Sequence, residues 1–255
     1  MPLFTDWAPG HGRVAVIGPS FLGIGAQKSG TTWIYENLSR HPHVRFPAGK
    51  EIHFWDARRE LGVTWWLDQF GPRQPGLYSG EITPAYATID TDTIHEIHAL
   101  CPDLRLFYVL RNPIERAWSA ARMAVLRAEM TMDEASERWF LDHFRSAGSR
   151  RRGAYAEAIR RWRSVFPAEQ LMIALFDDLR SQPHAFLSRL CEHIGVEAGF
   201  YDEVPEESLR QPVFEGPSAP LPPPLRRALI DQYGETVGTL GHLLGINLSC
   251  WLAEP

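Results

Sequence analysis

Cysteine is scarce in this chain. Cys101, Cys191 and Cys250 are too few and too scattered for a disulfide framework or a zinc site, and a reducing compartment fits them best. Long apolar runs are missing too. The best candidate, 14–25, is interrupted by Gly18 and Pro19 and is shorter than the roughly 20 residues that span a bilayer. The opening M-P-L-F-T-D-W-A-P-G-H-G has neither a charged stretch nor a continuous apolar core, so no secretory signal is expected. These absences together predict a cytoplasmic protein without a transmembrane segment. Excess positive charge is absent as well. The formal net charge is -5 over 255 residues, which argues against a general nucleic-acid binder. No internal repeat is visible.

Apolar residues make up 44% of the chain, enough for a globular fold, and the length suits one domain with a substantial core. Short apolar segments at 20–26, 78–82, 104–110 and 171–176 read as strands. Helical patterns fall between and after them, at 31–40, 91–100, 113–127, 132–144, 154–166 and 183–194. This alternation predicts an α/β domain: a mostly parallel central sheet flanked by helices on both faces. A single domain is expected over 20–255, after an N-terminal leader at 1–19. Prolines in 204–224 exclude regular structure there, so that segment is expected to be a surface loop. A last helix at 225–244 packs back, with Trp251 as an apolar anchor.

The densest chemistry lies in G-A-Q-K-S-G-T-T-W, Gly25 to Trp33, directly after the first apolar strand. Glycines let backbone N–H groups converge on one point, and a helix opening at Thr31 adds its free N-terminal donors. Lys28 adds a charge, while Thr31 and Thr32 add hydroxyls. The frame is that of a phosphate-binding loop. A nucleotide triphosphatase, however, carries lysine where Thr31 stands. Arg111 opens R-N-P-I-E-R-A-W-S just past the third strand. Asn112 and Pro113 make a sound helix start, which sets Arg111 at the mouth of the sheet and Ser119 two turns on, placed to grip a second phosphate. Arg116 in the same helix reads as solvated or salt-bridged. In K-E-I-H-F-W-D, Lys50 to Asp56, an extended backbone would put Glu51, His53 and Trp55 on one side, with Glu51 and His53 as an acid–base pair.

These motifs, in this order, resemble the sulfotransferases that use 3′-phosphoadenosine-5′-phosphosulfate (PAPS). Q-K-S-G-T-T-W resembles their 5′-phosphosulfate loop, and Y-V-L-R-N-P-I-E-R-A-W-S their 3′-phosphate strand and helix. K-E-I-H-F-W-D, followed by G-E-I-T-P-A-Y at Gly80 to Tyr86, is similar to the bacterial and heparan sulfate-type carbohydrate branch. R-G-A-Y at Arg152 to Tyr155 and the ending G-I-N-L-S-C-W-L fit as well. The resemblance implies a single-domain P-loop-like three-layer fold and PAPS as co-substrate, leaving adenosine 3′,5′-bisphosphate. It implies Lys28, Ser29, Gly30, Thr31, Thr32 and Trp33 around the 5′ end, Arg111 and Ser119 at the 3′-phosphate, and Tyr155 reaching the nucleotide. Glu51 would be the general base, with Lys28 and His53 as further catalytic groups. Asp56 and Glu81 would stand in the acceptor site. Ile82 stands where the heparan branch often has lysine.

The implied reaction is in-line sulfuryl transfer to a hydroxyl or amine, a problem of positioning and charge stabilisation. No metal is expected, since the donor has no triphosphate and the sequence shows no ligand cluster. Trp65 and Trp66 are candidates to line an acceptor cleft, and Arg150, Arg151 and Arg152 to attract an anionic acceptor or the nucleotide. The acceptor itself is left as a glycan, a lipid headgroup or a small secondary metabolite, and the oligomeric state stays open. A P-loop kinase using ATP and magnesium is the competing reading, with Asp177 and Asp178 as its metal-binding candidates. A nucleotide-binding protein without catalysis is the third.

Overall fold

The computed structural model of the chain describes residues 17–211 and 219–253. Most of the leader expected at 1–19 and the middle of the 204–224 loop lie outside the described residues. Five strands form one parallel sheet: β1 (Phe21–Gly25), β2 (Val44–Arg45), β3 (Tyr78–Ile82), β4 (Arg105–Leu110) and β5 (Leu171–Leu175), in the order β2-β3-β1-β4-β5. β1 is therefore central, paired with β3 on one side and β4 on the other. The chain jumps across it between β3 and β4, which makes the carboxyl end of β1 a switch point where such sheets hold ligands.

The helices are α1 (Thr31–Leu38), α2 (Phe54–Ala57), α3 (Val63–Asp68), α4 (Thr91–Leu100), α5 (Pro113–Arg127) and α6 (Glu137–Arg145). They continue with α7 (Ala147–Gly153), α8 (Tyr155–Arg163), α9 (Phe176–Ser181), α10 (Pro183–Ile194), α11 (Glu206–Arg210) and α12 (Pro223–Leu244). The short α11 corrects the expectation that prolines keep 204–224 free of regular structure. Pro205 precedes it as its N-cap and so does not break its hydrogen bonds.

Both faces of the sheet are covered, as alternation along β4 shows. Leu106, Tyr108 and Leu110 enter one apolar cluster with Trp66, Tyr86, Ile94, Trp118, Ile159 and Trp162. Phe107 and Val109 enter the other with Phe21, Ile34, Leu38, Phe186 and Leu190. Successive side chains on a strand point to opposite faces, so each face receives every second residue. Gly23 is required by this packing: a Cβ there would lie 2.5 Å from the Phe107 ring and 2.8 Å from Ile82. Trp251 is buried. Its carbonyl accepts from Asn112 Nδ2 at 2.9 Å and its ring nitrogen donates to Asp177 at 3.2 Å, tying the C-terminal segment to the start of α5 and to α9.

Candidate functional site

A cleft of about 1010 Å³ opens at the carboxyl end of the sheet. The loop between β1 and α1 forms its floor. Gly30 caps α1 at φ 77°, a left-handed conformation open to glycine, and a Cβ there would meet the Phe176 ring at 2.9 Å. Lys28, Gly30, Thr31, Thr32 and Trp33 all line the cleft. Thr31 and Trp33 are mostly buried, and Trp33 Nε1 donates to the carbonyl of Leu209 in α11 at 2.7 Å. Lys28 itself holds φ 69°. Burial pushes its pKa below the usual lysine value, helped by Arg111, Arg122, Arg127 and Lys50 nearby. A group of cations around a half-buried lysine is a place suited to an anion.

Arg111, just before α5, and Ser119, in its second turn, face the same cleft. Asn112 caps the helix, accepting from Ile114 N–H at 2.9 Å. Arg111 Nη1 donates to the Lys28 carbonyl at 2.9 Å, and its guanidinium lies 4.8 Å from the centre of the Phe176 ring. Tyr155 is buried, and its hydroxyl donates to the Arg111 carbonyl at 2.9 Å. The structure thus places Tyr155 behind Arg111 and off the cleft wall, where it braces the backbone that carries the guanidinium.

The third wall is the strap from Lys50 to Asp56. Here the extended conformation expected from the sequence is absent. Glu51 and His53 sit at φ 65° and 58°, uncommon values for residues with side chains. Their carboxylate and imidazole still meet: His53 Nε2 lies 3.2 Å from Glu51 Oε2, and His53 Nδ1 lies 3.0 Å from Asp56 Oδ2. Lys50 Nζ contacts Glu51 Oε1. An imidazole between two carboxylates donates to both only as the imidazolium. Trp55 does not join them. It turns into α2 and is 2% exposed in the core.

Glu81 also departs from its expected place. It is 0% exposed and faces no cleft. Its carboxyl accepts from Ile52 N–H at 3.2 Å, Trp66 Nε1 at 2.8 Å, Thr83 Oγ1 at 2.6 Å and Tyr86 OH at 3.1 Å. Burial pushes its pKa up against those four bonds. Tyr86 in turn accepts from the N–H of Phe54 at 3.0 Å. Glu81 and Tyr86 therefore clamp the backbone on both sides of His53, and their contribution to the site is its shape. Trp66 belongs to that clamp and stacks on Phe54, and half-buried Trp65 packs beside the same ring; neither lines the cleft. Apolar surface in helix α3 is more valuable in the core than at a rim. Ser29 is likewise buried, and its hydroxyl does not reach the cleft.

Sequence reasoning left Lys50 without a role, although a signal was present. Lys28 and Lys50 are the only lysines in the sequence, against 24 arginines, and both line this one cleft. Arg122, Arg127, Arg180 and Arg210 on its walls were also passed over. Arg116 needs correction: it is 0% exposed and, among the described residues, pairs with no carboxylate. The two aspartates a kinase would need are engaged elsewhere, Asp177 with Trp251 and Asp178 with Arg189, and neither lines the cleft.

The profile of the Sulfotransferase domain matches residues 19–219, most of the chain. This chain belongs to the sulfotransferase domain family. Within the family, it is 30% identical over 181 residues to human heparan sulfate glucosamine 3-O-sulfotransferase 6, covering 70% of this chain and 52% of that protein. It is 29% identical over 184 residues to human heparan sulfate glucosamine 3-O-sulfotransferase 3B1, covering 46% of that protein. The chain thus spans about half the length of the curated relatives it matches. Its fold is also that of a sulfotransferase from Alicyclobacillus acidocaldarius, with a TM-score of 0.71 at 24% identity over 92% of this chain and 99% of that one. Mouse sulfotransferase SULT7A1, solved in complex with PAP, aligns with a TM-score of 0.57 at 14% identity, covering 90% and 88% of the two chains.

Proposed function

We propose that this chain is a PAPS-dependent sulfotransferase acting on a hydroxyl or amine of a glycan-like acceptor. One observation carries the reading. The phosphate loop with Lys28, the Arg111–Ser119 pair and the Glu51–His53–Asp56 array all face a single cleft. The residues present fit the co-substrate. Lys28, Thr31 and Thr32, with the first-turn N–H groups of α1, would hold its 5′ end, and Arg111 with Ser119 its 3′-phosphate. PAPS brings the activated sulfuryl group when bound. The protein fixes the geometry and handles one proton. Glu51 takes that proton from the acceptor, and His53, backed by Asp56, steadies the carboxylate from 3.2 Å. Lys28 sets positive charge where negative charge grows at the 5′ end.

A glycan acceptor is favoured by the names of the relatives, both heparan sulfate sulfotransferases. A cytoplasmic location remains part of this proposal, on the few cysteines of the sequence. Thermal unfolding tests the donor site. A ligand at about 100 times its dissociation constant adds roughly 2.7 kcal/mol, which for a chain of this size raises Tm by roughly 5–10 °C. Adenosine 3′,5′-bisphosphate should give that shift without metal. A shift with ATP and magnesium alone would overturn the sulfotransferase reading in favour of the kinase. Glu51→Gln should keep the bisphosphate shift and lose transfer from labelled PAPS. Loss of both would make Glu51 a structural residue.

A further inference from the structure

A second cavity, of about 180 Å³, lies beside the cleft among α5, α6 and α7. It is below the roughly 300–1,000 Å³ of sites that hold a whole small ligand. It shares Gln27, Met123, Arg127 and Arg152 with the cleft, so the two adjoin. Lys28, Arg111 and Ser119 do not line it, and it is separate from the donor cradle.

Among the described residues its lining is cationic and holds no carboxylate. Arg116 is fully buried there, and Nη2 donates to the Ser149 carbonyl at 3.1 Å and reaches Tyr233 OH at 3.4 Å. Among the described residues, Nε and Nη1 have no hydrogen-bond partner, and neither has the buried Ser149 hydroxyl. Arg127 and Arg152 line the cavity as well, and among the described residues neither forms an ion pair with a carboxylate. His143 completes the wall. Burial, with Arg116 and Arg152 adjacent, holds its pKa below the usual histidine value, so the ring stays neutral and acts as a hydrogen-bonding group. A buried guanidinium with unpartnered N–H groups and, among the described residues, no ion pair to a carboxylate is costly to maintain. Its planar donors match the paired oxygens of a carboxylate or sulfate.

We propose that this cavity is an oxyanion subsite that receives an acidic substituent of the acceptor, a carboxylate or a sulfate. The assignment to the acceptor rests on the sulfotransferase reading. Held there, the anion would anchor the acceptor beside the cleft, leaving a neighbouring hydroxyl to enter toward Glu51. Arg152 joins the two spaces: it lines both, and it lies close enough to Asp56 for that carboxylate to stabilise its charge.

The test is a thermal titration of the full chain with sodium sulfate against sodium chloride at equal ionic strength, with and without saturating adenosine 3′,5′-bisphosphate. A saturable rise in Tm beyond that of the bisphosphate is expected. Methyl glucuronide should reproduce it and neutral methyl glucoside should not. Arg152→Gln and Arg127→Gln, both on the accessible wall, should each weaken half-saturation by about tenfold or more, measured with each variant saturated with the bisphosphate. A sulfate effect that never saturates, or that survives both substitutions, overturns the subsite. Saturation by sulfate but not by glucuronide or a sulfated glycoside assigns the cavity to free inorganic anion and overturns the acceptor assignment. Loss of the bisphosphate response with the sulfate response intact overturns the sulfotransferase reading, and the acceptor assignment with it, while the anion pocket stands.

Discussion

Lys28 has a positive φ, uncommon for any residue with a side chain, and its partial burial and neighbouring cations disfavour its charged form. Its folded pKa lies below its unfolded one. Between those two values the unfolded chain binds more protons, so stability rises with pH up to the ordinary lysine value. Below the folded value the destabilisation is fully present. Lys28→Met should therefore raise the Tm of the ligand-free protein at neutral pH while removing its bisphosphate shift. Lys28→Ala should lower transfer by about two to four orders of magnitude, near the loss on removing a key transition-state donor. Bisphosphate affinity in the wild type should begin to fall at a lower pH than an ordinary lysine would give, as Lys28 deprotonates; isothermal titration across alkaline pH reads this. A pH-independent affinity would remove Lys28 from the phosphate site.

At the level of elements, the clamp between β3 and the 50–56 strap does most to shape the site. Each orphaned buried donor costs about 1–3 kcal/mol, and Glu81 serves four of them. Glu81→Leu should lower the unfolding free energy by more than about 3 kcal/mol on that scale, measured by urea denaturation. It should also lower kcat, because the bond to Ile52 lies between Glu51 and His53. Elements with strong punctuation were readable in the sequence. α4, α5 and α10 run over the expected 91–100, 113–127 and 183–194, their starts marked by Asp90, Asn112 and Pro183. Short pieces were not readable. β2 has two residues, and α2, α7, α9 and α11 are too brief for a period to show. Arg116 was misread because α5 is covered on several sides: it contacts α6, α7 and α12, so a charge pattern suggesting an exposed face was misleading. The Glu51–His53 encounter depends on two left-handed residues, which no hydrophobic pattern encodes. The order of loop, strap and Arg111 helix was plain from the motifs alone.

At the scale of the whole molecule, the chain is acidic, with a formal net charge of -5, yet among the described residues its cleft is lined by two lysines and six arginines, with Glu51 and Asp56 as the acids opposing them. The local field and the net charge have opposite signs. A concave site focuses its own field, so an anionic nucleotide should associate faster at low salt despite the acidic surface. Stopped-flow binding of the bisphosphate should show an association rate that falls steadily from low to high ionic strength. A rate that rises with salt would mean that the overall charge dominates.

The distribution of primary amines has a practical consequence. Lys28 and Lys50 are the only lysines of 255 residues, and both face the cleft. An amine-directed acylating reagent, usually indiscriminate on a protein surface, becomes a nearly site-selective probe on this chain. Mass spectrometry of the labelled peptides would then report occupancy of the cleft directly, with no acceptor in hand. Any compound that shields both amines from acylation is one that enters it.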